Sequence, residues 1–405
     1  MHLKFISGFF LLCILACFSS EAQILWQVTD GKVTQWNYLD GDEFNGSKLD
    51  TSKWRNDYPW ARHLFCSPDK HYYTDFNNIK VEDGILSLIA KKEKIKAKSV
   101  PYESDTARLF CDGKDAGINF REFDYTSGMI FSKQKYHYGF YEMKFKSDEG
   151  NGLWPAFWLY AGHESDEIDI FEMNGSRNTE MHVDVHCKSG CKNYKTTLGL
   201  IRKNWGDYLT TSGNWKNGYN VIAIEWQPGF IKWFLNGEAV AYWKGKFDYP
   251  MWVIANFSIA LDGGPFGPGP DANTKFPASF DIDYIRMWST VTPSAKRTLS
   301  VTLDVMADSN SGAKSKLLKG KKPESKKKII KAQSTFILFT ATGNNNYKVE
   351  FTGSRPKDFT IEVLDPSGNS EYKSSDTSKS IHEFKIAGNG KLRIKTGVTV
   401  LEQSF

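Results

Sequence analysis

Long apolar runs are nearly absent from this 405-residue chain. After a first stretch from Phe5 to Phe18, nothing is long enough to cross a bilayer as a helix, so no membrane span is expected. No amphipathic pattern lasts three helical turns and no repeat of fixed period recurs, which argues against helical bundles and solenoids. Cysteine is scarce, at 6 residues. Tryptophan disappears after Trp288, although all 13 lie between Trp26 and that point. The excess of positive charge is only +5 and is unevenly spread. Residues 291–405 hold 20 Lys/Arg against 11 Asp/Glu, leaving 32 against 36 in residues 1–290. The basicity belongs to the tail, so the larger part is not expected to bind nucleic acid.

Export and strand patterning are what the chain does show. The opening MHLKFISGFFLLCILACFSSEAQ has one Lys ahead of an apolar run and small residues behind it. That is the layout of a secretory signal over residues 1–22, with Ser20 and Ala22 placed for cleavage. Ile14-Leu15-Ala16-Cys17 also has the form of a lipoprotein processing site, so secretion competes with a lipid anchor at Cys17 in the periplasm or on the outer surface. Of the four remaining cysteines, Cys187 and Cys191 suit a small loop closed by a disulfide, since Gly190 allows the turn. Cys66 with Cys111 then follows by elimination. A half zinc site at Cys187 and Cys191 is disfavoured, because no second ligand pair stands nearby.

The loss of Trp marks a boundary, and residues 291–300 read as a linker between a region of 24–290 and a small β-rich domain of 301–405. The tail opens with LLKGKKPESKKKIIK, read as a solvated loop. Short alternating runs follow, such as STFILFTATG, YKVEFTG and FTIEVLDPSG. The larger region is also a succession of strands. Tyr141-Glu142-Met143-Lys144-Phe145-Lys146 alternates strictly, and FIKWFLNGEAVAYW places Asn236-Gly237 between two apolar runs, a hairpin signal. Many strands and no helices predict an all-β sandwich or barrel.

The informative segment is Glu167-Ile168-Asp169-Ile170-Phe171-Glu172. Alternation puts Glu167 and Asp169 on one face and the two isoleucines on the other. Three carboxylates in six residues repel one another, which a structural strand gains nothing from. Glu172 lies at an odd offset from Glu167, so a regular strand would bury it among the isoleucines at high cost. One extra residue repairs this. A β-bulge around Ile170–Phe171, with Phe171 as the extra residue, brings all three acids to one face. Two carboxyl groups held at different pKa can break a glycosidic bond, one protonating the leaving oxygen and the other attacking or activating water. Spacing alone leaves retention and inversion both open. Carboxylates this close also bind hard cations, but the segment lacks the loop character of a calcium site.

These residues resemble the catalytic signature of glycoside hydrolase family 16 in its bulged form. The likeness extends in order along residues 36–289. It takes in Asp42-Glu43-Phe44-Asn45-Gly46, Tyr72-Tyr73-Thr74, Val81-Glu82-Asp83-Gly84, Gly152-Leu153-Trp154-Pro155-Ala156-Phe157-Trp158 and Phe276-Pro277 through Arg286. The resemblance implies a concanavalin-like β-jelly-roll with an open cleft and retaining, endo-acting cleavage of a β-linked polysaccharide by a monomer that needs no catalytic cofactor. It implies Glu167 as nucleophile, Glu172 as acid/base, Asp169 as the residue assisting the nucleophile and His186 in the cleft. His182 and Asp184 share the parity of His186. It also implies a structural calcium held by Glu43, the Gly84 carbonyl and Asp283.

Sugar rings stack on aromatic faces, which gives the Trp excess a use. Trp154 and Trp158 share a face on one strand, Trp60 and Arg62 sit on a loop at the cleft end, and Trp252 shares a face with Asn256. Pro155, between the first two, argues for a position away from the sheet centre. A β-1,3- or β-1,3-1,4-glucan is the expected substrate. Phe266 in the Gly-rich loop and His71 depart from the β-glucanase pattern, which keeps galactans of the agar, carrageenan or porphyran type as the alternative. A sulfated galactan would want cations in the cleft, for which Arg62, His63, Arg108 and Arg121 are candidates. A catalytically silent sugar-binding jelly-roll is the remaining alternative.

Overall fold

The computed structural model describes residues 23–29, 32–63, 70–98, 109–111, 114–117, 120–162, 166–177, 179–187, 194–195, 201–202, 205–210, 215–245, 248–264, 266–290, 334–343, 345–353, 359–386, 390–396 and 399–404. The signal segment with Cys17, the linker, the Lys-rich stretch, Cys66, Cys191 and Arg108 lie outside them, and so does the test of both cysteine pairings. Among the described residues every element is a strand except one 3-10 turn, Phe76–Asn78. The all-β expectation holds.

Two antiparallel sheets face each other across the main core. Alternation decides what meets between them. In Gly139–Ser147, the side chains of Tyr141, Met143 and Phe145 enter the core, while Phe140 points away. In Met251–Ile259, the odd positions from Met251 to Ile259 enter the core and Ile254, Asn256 and Ser258 face outward. One sheet has seven strands in the order Trp205–Thr210, Glu180–His186, Glu167–Glu172, Leu153–Tyr160, Met251–Ile259, Met129–Tyr136 and Trp54–Arg55. Leu153–Tyr160 is thus central, against the expectation from Pro155. That proline is paired with Phe257 on one side, and on the other it stands just beyond the last pair, Ala156 with Glu172, where a missing N–H breaks no ladder.

The opposing sheet runs Glu238–Lys244, Phe230–Leu235, Asn220–Gln227, Gly139–Ser147, Ala278–Ser289, Lys32–Asp42, Gln23–Thr29, Ser334–Gly343, Asn346–Gly353 and Ile381–Lys385. The hairpin at Asn236-Gly237 is present, with φ of 49° and 83°, the left-handed backbone a two-residue turn needs. The strands expected in the tail are present too: Ser334–Gly343, Asn346–Gly353 and Ile381–Lys385 continue this sheet, while Ser370–Ser374, Phe359–Leu364, Lys391–Thr396 and Thr399–Ser404 form a sheet of their own. Gln23–Thr29 pairs along its whole length with the tail, from Gln23 opposite Thr340 to Thr29 opposite Ser334. One face of that ribbon, Ile24, Trp26, Ile337 and Phe339, closes a small core with Val349, Phe351 and Ile361. Its other face, Leu25, Phe336 and Leu338, covers Trp36, Phe140, Phe234 and Trp288 on the outer side of the main sheet. The Phe336 ring lies 5.2 Å from Phe140 and 5.4 Å from Phe234.

Glu142 is buried on that same outer side. Trp288 Nε1 donates to it at 3.0 Å, and Arg286 is 3.9 Å away but forked onto Glu43. Burial outweighs these two and pushes the Glu142 carboxyl up to about 7. Its folded-state pKa is therefore raised above its unfolded one. The unfolded chain loses this proton first as pH rises, so stability falls between roughly pH 4.5 and 7 and is level above. Glu142→Gln removes this loss. The variant is expected to exceed the parent by up to about 3 kcal/mol at pH 8 and to match it near pH 4, measured by urea unfolding.

The expected calcium carboxylates are held in ion pairs here. Both oxygens of Glu43 are taken by Arg286, at 2.7 and 2.8 Å, and Asp283 lies 2.6 Å from Lys144 Nζ. A hard divalent ion would compete with Arg286 and Lys144 for these carboxylates.

Candidate active site

The strand Glu167–Glu172 carries the predicted irregularity. Against Leu153–Tyr160, Phe171 pairs with Phe157 and Asp169 with Trp158, so Ile170 has no partner there. Against Glu180–His186, Asp169 pairs with Asp184 and Glu172 with His182, so Ile170 and Phe171 together oppose one residue. The extra residue is Ile170 rather than Phe171. Ile168, Ile170 and Phe171 are all fully buried in the core, where Phe171 stacks on Phe145 at 4.4 Å. Two consecutive side chains entering the core is what returns Glu172 to the outer face. From the opposing sheet, Trp233 Nε1 donates to the Asp169 carbonyl at 3.2 Å and fixes the backbone at the bulge.

Register then assembles the site row by row. Tyr160, Glu167 and His186 lie side by side across three strands. So do Trp158, Asp169 and Asp184, and so do Ala156, Glu172 and His182. Apart from Tyr160, these rows line a cavity of about 390 Å³ whose walls also include Tyr58, Trp154, Tyr208, Asn256, Ser258 and Phe266. Glu167 is half-buried, and its Oε1 lies 3.4 Å from His186 Nε2. Asp169 is only 2% exposed, and its Oδ2 is 3.1 Å from the same nitrogen. Glu172 accepts from Trp154 Nε1 on Oε1 at 3.1 Å, and its Oε2 faces His182 Nδ1 at 3.3 Å.

Burial lifts Glu167 well above the usual carboxylate range, and the neighbouring Asp169 lifts it further, while His186 pulls it down. Burial likewise lifts Asp169, with Glu172 and Asp184 adding to it and a hydrogen bond to Glu167 opposing it. Two like groups this close resist ionising together. Asp184 is also raised, by burial, with His186 and His182 acting against it.

The aromatic residues sort less cleanly. Trp154 and Trp158 line the groove as expected. Trp154 stacks on Phe266 at 4.7 Å, and Trp158 donates to Asn256 Oδ1 at 2.6 Å. Asn256 passes the link on to Ser258 at 2.8 Å. Trp60, Arg62 and Trp252 are not among the lining residues. Trp60 is stacked on Tyr58 at 5.3 Å, beside the groove. Arg62 is committed to Asp75 and lies 3.7 Å from Asp57. Trp252 has Lys135 Nζ 3.9 Å over its ring, and a Cβ on Gly162 would come within 2.3 Å of the same ring. Parity gives the face of a tryptophan but not what covers it. His63 and His71 are buried, and His71 Nδ1 accepts from the Ile259 N–H at 3.0 Å. The departure at His71 therefore lies behind the groove, whereas Phe266 lies in it.

Tyr58, Tyr208 and Ser258 were not singled out from sequence as lining residues, whereas parity with His186 placed Asp184 on the cleft face. The alternation in Met181-His182-Val183-Asp184-Val185-His186 carried the signal for Asp184. Tyr208 becomes visible only once Trp205–Thr210 is seen to pair with that strand, which sets it opposite His182.

The family profile of the glycosyl hydrolases family 16 matches residues 70–286. Two of the similar curated proteins are glucanases by name. The glucan endo-1,3-beta-glucosidase A1 of Niallia circulans is 27% identical over 294 residues, 64% of this chain and 39% of that protein. The beta-glucanase of Rhodothermus marinus is 28% identical over 285 residues, 64% of this chain and 86% of that protein. Among solved structures, the endo-beta-1,3-glucanase of Pyrococcus furiosus matches with a TM-score of 0.51 at 26% identity, covering 66% of this chain and 98% of that one.

Proposed function

The chain belongs to family 16 of the glycosyl hydrolases, and from that membership we propose that it cleaves an uncharged β-1,3- or β-1,3-1,4-glucan internally and with retention, using Glu167, Asp169 and Glu172. Glu167 attacks the anomeric carbon while Glu172 gives its proton to the departing glycosidic oxygen, leaving a glycosyl ester on Glu167. Glu172, now a carboxylate, takes a proton from water as that water attacks the same carbon and frees Glu167. Asp169, which resists ionising beside Glu167, steadies the nucleophile without competing for the sugar. His186, within 3.4 Å of both, offsets their charge.

The carrying observation is the bulge, which brings three acids onto one face of a groove walled by Trp154, Trp158 and Tyr58. The choice of an uncharged glucan over a sulfated galactan rests on the lining. Among the described residues it holds four carboxylates and no Lys or Arg. A sulfate group entering there would meet like charge and no bidentate partner. The reading is tested by product analysis on laminarin, mixed-linkage glucan, agarose and carrageenan. Short oligosaccharides are expected from one or both glucans and from neither galactan. Cleavage of carrageenan or agarose in preference to the glucans would overturn the substrate assignment.

A further inference from the structure

Glu172 sits among partners that treat its two oxygens differently. Oε1 accepts the Trp154 Nε1 hydrogen at 3.1 Å, and that donor has no lone pair to offer in return. A carboxyl proton on Glu172 is therefore favoured on Oε2, the oxygen 3.3 Å from His182 Nδ1. The other ring nitrogen of His182, Nε2, lies 3.8 Å from Asp184 Oδ2. A carboxylate on that side favours the tautomer with hydrogen on Nε2, which leaves Nδ1 as an acceptor. The ring itself is held between Tyr208, at 4.5 Å, and Phe266, at 5.7 Å.

The strand behind leaves room for this pair. A Cβ on Gly206 would come within 2.7 Å of Asp184 Oδ2 and 3.2 Å of His182 Nε2. The charged and titratable groups around His182 are Glu172 across the ladder, Asp184 on its own strand and Tyr208 on the edge strand. Arg177 and Glu180 stand nearby, paired with each other at 3.1 Å.

We propose that His182, oriented by Asp184, is the positioning residue of the acid/base: its unprotonated Nδ1 accepts the Oε2–H of Glu172 and holds that proton where the leaving oxygen will take it. This rests on the acid/base role given to Glu172 above. The proton moves once, from Oε2 to the glycosidic oxygen as the C–O bond breaks, and His182 neither gains nor loses one.

The test compares two substrates. One is laminarin, whose leaving oxygen needs a proton. The other is a 2,4-dinitrophenyl β-glucobioside, whose leaving group departs without one. His182→Ala is expected to lower kcat on laminarin about 10- to 100-fold, part of what general acid catalysis contributes. It is expected to move the alkaline limb of kcat/KM down by about one pH unit, since that limb reports the acid of the free enzyme. Turnover of the dinitrophenyl substrate should stay within a few fold. His182→Asn can place an amide oxygen where Nδ1 was and should recover most of the laminarin activity. Gly206→Ala, which displaces Asp184 without touching Glu172, should shift the alkaline limb in the same direction, and it carries the test if the Ala variant does not fold.

Equal losses on both substrates, or an unmoved alkaline limb, would overturn the proposal. Glu172→Ala separates the two levels of the argument. If that change spares laminarin cleavage, the acid/base assignment fails. If it abolishes laminarin cleavage while the His182 variants behave like the parent, only the role of His182 fails.

Discussion

Glu167→Ser leaves laminarin uncut, with kcat reduced by at least about 10⁴-fold, because no other group is placed to form the covalent intermediate. Asp169 is nearest in chemistry but is only 2% exposed. His186 is turned toward both acids and is not an alternative nucleophile for the sugar. Glu172→Ala should cost less, about 10²- to 10⁴-fold, since it removes proton transfer and spares attack. Its remaining activity should respond to leaving-group quality and to added azide, which can take the open place of the water-activating carboxylate. Both variants should retain laminarin affinity, because Trp154, Trp158 and Asn256 are untouched. Initial-rate kinetics with affinity electrophoresis on laminarin check all of this. An order of severity reversed between the two residues would exchange their roles.

Truncation after Ser289 lowers the thermal midpoint by about 10 °C or more, or leaves the chain insoluble. It removes Phe336 and Leu338, each contributing about 1.5–3 kcal/mol of burial, and uncovers Trp36, Phe140 and Trp288. It also strips Gln23–Thr29 of one of its two partner strands and exposes Trp26, now in the small core. A loss of at least about 4 kcal/mol corresponds to the stated shift for a domain of this size. The groove opens on the far side of the other sheet, so activity at low temperature should survive in whatever fraction folds. Differential scanning calorimetry decides. An unchanged midpoint would mean that the tail is not integral to the fold of the larger region.

How far the sequence carries is clearest at Glu172. Alternation put Glu167 and Asp169 outward and Ile168 and Ile170 inward, and the cost of burying a charge then required one extra residue between them. Which residue was extra could not be read, since Ile170 and Phe171 are both large and apolar and both end in the core. The same limit applies to Trp252, whose face was legible but not the lysine lying over its ring. At Glu43 and Asp283 the carboxylates were visible and their cationic partners, Arg286 and Lys144, were not. Arg286 stands 243 residues from Glu43, and no periodicity links them. The pairing of the first strand with the tail is the extreme case. Strand character is local and legible in the tail run STFILFTATG, whereas Gln23–Thr29 was not singled out, and the choice of partner is made by apolar surface some 300 residues away.

The central claim is that the bulged strand presents Glu167 as a nucleophile to a sugar in the groove. Incubating the enzyme with a 2-deoxy-2-fluoro β-glucobioside bearing a dinitrophenyl leaving group, followed by peptide mass mapping, tests it directly. The account predicts one covalent glycosyl adduct per chain, located on Glu167. An adduct on Glu172, or none at all together with α-configured first products, would contradict it.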